Sequence, residues 1–260
     1  MITVGLDIGS TAAKGVLVNC SNKCRTKIYY EIMPTGWSPR TTGEELLKRI
    51  LASSHCSSKD IDKIAATGYG RETIPFTHKT ITEITCHARG ASYLAAGSSM
   101  VIDVGGQDSK IIKIDEKGRV LDFIMNDKCA AGTGRFLEVT SAALGLDVSD
   151  LGNFADFKNF APINSMCTVF AETEVIGLLA KGVPKESIVA GLLNSVCTRI
   201  AGMACKFSRP SKVAFTGGVA LNKGIQKALQ QKLDTQIVIP QYAQFAGALG
   251  AALIISELRV

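Results

Sequence analysis

The sequence predicts an α/β protein made of two copies of one unit. Three observations carry this prediction. Apolar strand runs alternate with helix-length runs along the 260 residues. A hairpin pattern near the N-terminus recurs once, at a constant offset. A third strand, Val213-Ala214-Phe215, ends in Thr216-Gly217-Gly218-Val219-Ala220 and leads into a helix.

The repeat organises the chain. The first copy is Val4-Gly5-Leu6-Asp7-Ile8-Gly9-Ser10-Thr11-Ala12-Ala13-Lys14-Gly15-Val16, and the second is Val101-Ile102-Asp103-Val104-Gly105-Gly106-Gln107-Asp108-Ser109-Lys110-Ile111-Ile112. Each reads as apolar strand, Asp, apolar residue, Gly, small polar turn, Lys and second apolar strand. Asp7 matches Asp103, Gly9 matches Gly105, and Lys14 matches Lys110. In order, strands are expected near 2–8, 14–18, 27–33, 62–67, 100–105, 109–114, 120–125, 212–216 and 236–239. Helices are expected near 42–53, 81–96, 133–144, 168–181, 186–207, 221–231 and 245–257. The first unit is expected to cover 1–98 and the second 99–240, with 241–260 forming a C-terminal helix that packs back on the first.

Such turns suit phosphate. Glycines let a backbone approach a ligand closely, and successive N–H groups in a tight turn form an anion-binding nest. An Asp at a strand end suits a hydrated Mg²⁺, which binds through few carboxylates plus phosphate. The matched pair of hairpins therefore predicts a nucleotide. A Gly-Gly turn such as Gly217-Gly218 can pack flat against a base or ribose, or serve as a plain β-to-α turn.

Composition narrows the classes. Hydrophobic residues make up 46% and charged residues 20%, which fits a globular chain rather than a disordered one. The net charge of +6 comes without any Lys/Arg run of five, so no nucleic-acid partner is expected. The apolar stretch Phe245 to Ile255 is shorter than the roughly 20 residues a membrane span needs, so no membrane partner is expected. The chain opens on the strand Ile2 to Leu6 without a basic leader region, and a cytoplasmic location is expected.

Eight cysteines are many for such a chain, and none form a CxxC pair. Cys129 and Cys167 are each expected just before or at a helix N-terminus, whose positive end stabilises a thiolate. Thiolates bind Fe–S clusters, and two chains around a two-fold axis would supply four. The residues alone leave open a shared cluster, two buried small side chains or a lone reactive thiol. Cys20 and Cys24 fall in a polar hairpin loop, Cys197 and Cys205 on one apolar helix, and Cys86 beside His87 is read as structural.

Six segments occur in order that together resemble a known family. They are Asp7-Ile8-Gly9-Ser10-Thr11, Ala66-Thr67-Gly68-Tyr69-Gly70-Arg71, Asp103-Val104-Gly105-Gly106-Gln107-Asp108, Asn126-Asp127-Lys128-Cys129-Ala130-Ala131-Gly132-Thr133-Gly134-Arg135-Phe136, Cys167-Thr168-Val169-Phe170-Ala171-Glu172 and Thr216-Gly217-Gly218-Val219-Ala220. The chain resembles the ATP-dependent activators of 2-hydroxyacyl-CoA dehydratases and the reductases of double-cubane cluster proteins, within the BadF/BadG/BcrA/BcrD-type ATPases. The segment around Cys129 is the most specific part. Cys20, Cys24 and Cys56 have no identified counterparts in that family, which puts the docking partner in doubt.

This resemblance implies duplicated ribonuclease H-like domains in the actin-like fold of acetate and sugar kinases, Hsp70 and actin. It implies a homodimer whose Cys129 and Cys167 pairs share one [4Fe–4S] cluster. A ferredoxin or flavodoxin would be the electron donor, and a 2-hydroxyacyl-CoA dehydratase or double-cubane cluster protein the acceptor. ATP would meet Ser10, Thr11, Ala12, Ala13, Lys14, Gly105 and Gly106 through its phosphates and Gly217 and Gly218 near the adenosine, with Gly132, Thr133, Val219 and Gln244 as further contacts. Asp7 and Asp103 would organise Mg²⁺, and Gln107 or Asp103 would orient the attacking water. Glu172 and Glu174, just beyond Cys167, would couple nucleotide state to the cluster. The rival readings are a small-molecule kinase of the same fold, with Asp108 as base, and a nucleotide-sensing interaction protein.

Overall fold

In the computed structural model, residues 1–20, 26–165 and 167–258 are described, so Cys24 lies outside the described residues. Two five-stranded sheets dominate. The first comprises β1 (Ile2–Ile8), β2 (Ala12–Asn19), β3 (Lys27–Pro34), β4 (Lys63–Thr67) and β5 (Lys79–Thr80), in the order β3-β2-β1-β4-β5. The second comprises β6 (Met100–Val104), β7 (Ser109–Ile114), β8 (Val120–Asn126), β9 (Lys212–Thr216) and β10 (Gln236–Val238), in the order β10-β9-β6-β7-β8. Counted within its own set, each sheet runs third, second, first, fourth, fifth strand. The repeat in the hairpins therefore extends to whole sheets.

The helices are α1 (Pro39–Ser54), α2 (Glu83–Leu94), α3 (Gly134–Leu144), α4 (Leu151–Phe154), α5 (Thr168–Ala180), α6 (Lys185–Ala204), α7 (Lys223–Leu233) and α8 (Ala246–Glu257). Helix α1 begins earlier than the expected 42. Ser38 caps it by accepting from the Thr41 N–H, and Pro39 occupies the first turn, where its missing N–H does no harm. Helix α4 and strand β5 were not expected from the sequence. Runs of four and two residues carry no periodicity to read.

Contacts divide the chain into two compact units. One holds Met1–Val101, Ile112–Phe123 and the chain from Pro240 on; the other holds Ile102–Ile111 and Ile124–Ile239. In the first unit, β1 shows why period-two alternation positions a site. Val4, Leu6 and Ile8 join Leu46 and Ile50 of α1 in one buried cluster. Thr3, Gly5 and Asp7 face the other way, toward α8. The Thr3 hydroxyl donates to the Ala252 carbonyl at 3.0 Å, and a Cβ on Gly5 would collide with the backbone of Ala248 and Ala252. Helix α8 is a run of Ala and Gly because it must lie this close. Against α2, a Cβ on Gly250 would meet the Cys86 carbonyl, and one on Gly90 would meet that of Ala246.

In the second unit, α6 is the central helix. It is long and apolar enough to cross a membrane by length and composition, but two-thirds of that stretch (67%) is buried inside the protein, as for a core helix. Its Gly191 lets the carbonyl of Ala161 lie directly on the helix.

Candidate functional site

The second unit holds the more tightly bonded of the two repeated turns. Asp103 ends β6 with 2% exposure. The Thr216 hydroxyl donates to its Oδ1 at 2.8 Å, and Lys110 Nζ lies 3.6 Å from its Oδ2. The same ammonium pairs with Asp108 Oδ2 at 2.7 Å. Two carboxylates thus share one buried ammonium. The turn itself is closed by the Gly105 N–H on the Asp108 carbonyl at 3.0 Å, with Gln107 exposed at its tip.

This turn is also welded to a helix. The Gly134 and Arg135 N–H groups, the first of α3, donate to the carbonyls of Gly105 (2.9 Å) and Gly106 (2.7 Å). Those N–H groups would otherwise be orphaned at a helix start. Gly132 and Thr133, expected to meet ATP, are buried, and the Thr133 hydroxyl donates to the Ala130 carbonyl at 2.6 Å. Arg199 of α6 lies across Gly132, its Cδ at 2.9 Å from where a Cβ would stand. Gly217 is half-buried, Gly218 exposed and Val219 buried. Gly217 has φ +88 and lies on the backbone of Val104.

The first unit repeats the layout with different chemistry. Asp7 is 5% exposed and pairs in register with Lys14 of β2 and Thr67 of β4. Its Oδ1 lies 2.5 Å from the Cβ position of Gly68, and its Oδ2 lies 2.6 Å from that of Gly247, so two glycines wall the carboxylate. Lys14 Nζ donates to the Ala12 carbonyl at 3.2 Å. Ser10 and Thr11 are exposed, Ala12 and Lys14 half-buried and Ala13 buried. Thr35, just after β3, braces this turn: its hydroxyl donates to the Gly9 carbonyl at 2.7 Å and its N–H to that of Thr11 at 3.0 Å. Gln244 sits on the turn Ala243–Phe245, flanked by Tyr242 and Phe245, which pack on Tyr30.

One correspondence was missed in the sequence. Thr67-Gly68 after β4 matches Thr216-Gly217 after β9, and both glycines have φ +88. The signal was a Thr-Gly pair closing an apolar strand in each unit. The constant offset does not extend to it, because four α-helices, α3 to α6, separate β8 from β9 where one, α1, separates β3 from β4.

The two singled-out cysteines differ. Cys167 is exposed and is the N-cap residue of α5, its carbonyl accepting from the Ala171 N–H at 2.8 Å. Cys129 is half-buried and lies a short loop before α3, whose N-cap is Thr133, whereas Cys167 stands at the helix start itself. Asn126 donates from Nδ2 to the carbonyls of Cys129 (2.8 Å) and Ala131 (3.2 Å). Glu174 accepts from the Asn164 N–H and the Ser165 N–H at 3.0 and 2.8 Å. Burial works against the Glu174 charge, but the hydrogen bonds from Asn164 and Ser165 outweigh it and hold the carboxyl below its ordinary value. Cys86 and Cys197 are fully buried, and burial pushes their thiols up to about 12, away from the thiolate form. Among the described residues, no group of three or more His, Cys, Asp and Glu side chains is arranged to hold a metal.

Comparison with known proteins gives the family and the fold. Residues 4–254 match the BadF/BadG/BcrA/BcrD ATPase family. The chain is 42% identical over 255 residues to the 2-hydroxyisocaproyl-CoA dehydratase activator of Clostridioides difficile, covering 97% of this chain and 94% of the relative. The solved structure of a Clostridium difficile activator of that dehydratase, with bound ADPNP, superposes with a TM-score of 0.89 at 40% identity, over 100% and 99% of the two chains. Component A of the Acidaminococcus fermentans (R)-2-hydroxyglutaryl-CoA dehydratase gives a TM-score of 0.90 at 39% identity, over 98% and 97%. The duplicated sheets are those of the actin-like ATPase fold.

Proposed function

The chain belongs to the BadF/BadG/BcrA/BcrD ATPase family, and on that premise we propose that it is an ATP-hydrolysing activator of a partner metalloenzyme. The partner is a 2-hydroxyacyl-CoA dehydratase or a double-cubane cluster protein, and the delivered species is one low-potential electron taken from a ferredoxin or flavodoxin. One observation carries the electron-transfer part. The second unit presents a half-buried Cys129 and an exposed Cys167, the latter beside the exposed apolar side chains Val169, Phe170 and Ile176 on α5.

That pair fits a [4Fe–4S] cluster only as half of a ligand set. Such a cluster takes four thiolates, so a second copy of the chain must supply the other two. The exposed apolar side chains of α5 suit burial against that copy. Cys129 and Cys167 would hold the cluster, which when bound supplies a one-electron carrier.

The remaining steps belong to the chain's own residues. Ser10 to Lys14 and the Gly105-Gly106 turn line the phosphates, with the Lys14 ammonium as the charged donor. Asp7, buried and walled by glycines, is the carboxylate that suits a hydrated Mg²⁺. Asp103, fixed by Thr216 and Lys110, orients the attacking water together with Gln107. Gly217, Gly218, Val219 and Gln244 flank the adenosine. Lowering the potential of a one-electron donor by about 300 mV costs roughly 7 kcal/mol. Nucleotide binding must bias two conformations by a comparable difference in affinity. The kinase reading is less well supported, because Asp108, its candidate base, is ion-paired to Lys110.

A Cys129→Ala variant tests the reading. It is expected to bind ATP as the wild type does and to lose its iron and brown colour. Retention of a full [4Fe–4S] spectrum would sink the ligand assignment.

A further inference from the structure

We infer that Asn126 and Glu174 are the positioning residues for the two cluster thiols, an inference that rests on the cluster reading above. Each grips the backbone of the segment that carries its cysteine. A cluster ligand must be held at the right place and angle, and groups outside the ligand set commonly do this work by hydrogen bonding.

The two grips are built differently. Glu174 lies about two turns into α5, the helix that Cys167 caps. Its Oε1 accepts from the Asn164 N–H at 3.0 Å and from Asn164 Nδ2 at 3.2 Å; its Oε2 accepts from the Ser165 N–H at 2.8 Å. The segment before Cys167 is thus folded back on the cysteine's own helix. No bond of this grip reaches the phosphate turn.

Asn126 ends β8, and its amide donates to the carbonyls of Cys129 and Ala131. Just beyond, the Gly134 and Arg135 N–H groups donate to the Gly105 and Gly106 carbonyls. The Cys129 loop is therefore held at one end by the sheet and at the other by the phosphate turn. Any movement of Gly105-Gly106 with nucleotide is passed to Cys129 through two hydrogen bonds and a short loop. Among the described residues, Cys167 is linked to that turn by no such bonds, only through the packing of α5 on α3. Asn126 sets the nucleotide dependence of the site, and Glu174 sets its tightness.

The test uses full-length protein with its cluster reconstituted anaerobically. The rate at which the iron chelator bathophenanthroline disulfonate bleaches the iron–sulfur absorption is measured with ADP and with ATP. Glu174→Gln places an NH₂ donor where an acceptor is needed; it is expected to bleach about tenfold faster in both nucleotide states, the scale on which such supporting groups act. Asn126→Asp sets a carboxylate against two carbonyls; it is expected to bleach faster and to bring the ADP-to-ATP rate ratio toward one. Asn164→Ala, which removes a single donor, is expected to show a smaller acceleration and guards against a variant that fails to fold. ATP affinity and thermal midpoint are measured alongside and are expected to stay near wild type. Wild-type bleaching rates and ratio in the Glu174 and Asn126 variants would overturn this inference alone. A wild-type protein that takes up no cluster would overturn the proposed function and this inference with it.

Discussion

Lys14 and Lys110 hold matching places in two hairpins of like sequence, yet their surroundings differ sharply. Lys110 is buried and shared by Asp103 and Asp108. Lys14 is half-buried, and its ammonium donates to a backbone carbonyl. The cause is one position: Asp108 stands just before β7, and its counterpart in the first hairpin is Ala12. A methyl there leaves the lysine with donors for an anionic ligand, while a carboxylate turns it into a brace. The duplicated hairpins thus differ in their lysines: one is left with donors to spare, and the other is tied to Asp103 and Asp108.

The largest effect should come from the brace. Lys110→Met leaves Asp103 and Asp108 facing each other without their cation, and a loss of about 3 kcal/mol or more is expected in urea unfolding, as when one partner of a buried pair is removed. A loss below about 1 kcal/mol would show that Lys110 is no brace. Lys14→Ala should act on ligand and hardly on folding. Removing a charge-assisted hydrogen bond of about 1.5–3 kcal/mol weakens ATP binding about tenfold or more by calorimetry, with stability little changed. If ATP affinity is unchanged and the protein is destabilised, the two lysines do the same job and the contrast fails.

Much of this was legible in the sequence for a physical reason. The hairpins recur with their polar residues in register, and a period-two strand ending in Asp-apolar-Gly has few other uses. The long helices were legible from their periodicity and from stops such as Gly182-Val183-Pro184, since α5 ends at Ala180. What could not be read was spatial. Nothing local shows that Lys110 lies within reach of Asp103, or that Thr216 donates to Asp103 from a distant strand. The start of α1 has a local signal, Ser38-Pro39, ahead of the first apolar-periodic residue. The grip of Glu174 on Asn164 and Ser165 depends on a loop folding back on the following helix, and loops carry no period.

The most direct measurement is the ultraviolet–visible spectrum of the wild-type protein purified without oxygen, read with its iron content. The account predicts a brown protein with about two irons per chain, one [4Fe–4S] cluster per dimer, whose visible band bleaches with dithionite. A colourless protein that binds ATP without iron, even after anaerobic reconstitution, would contradict it.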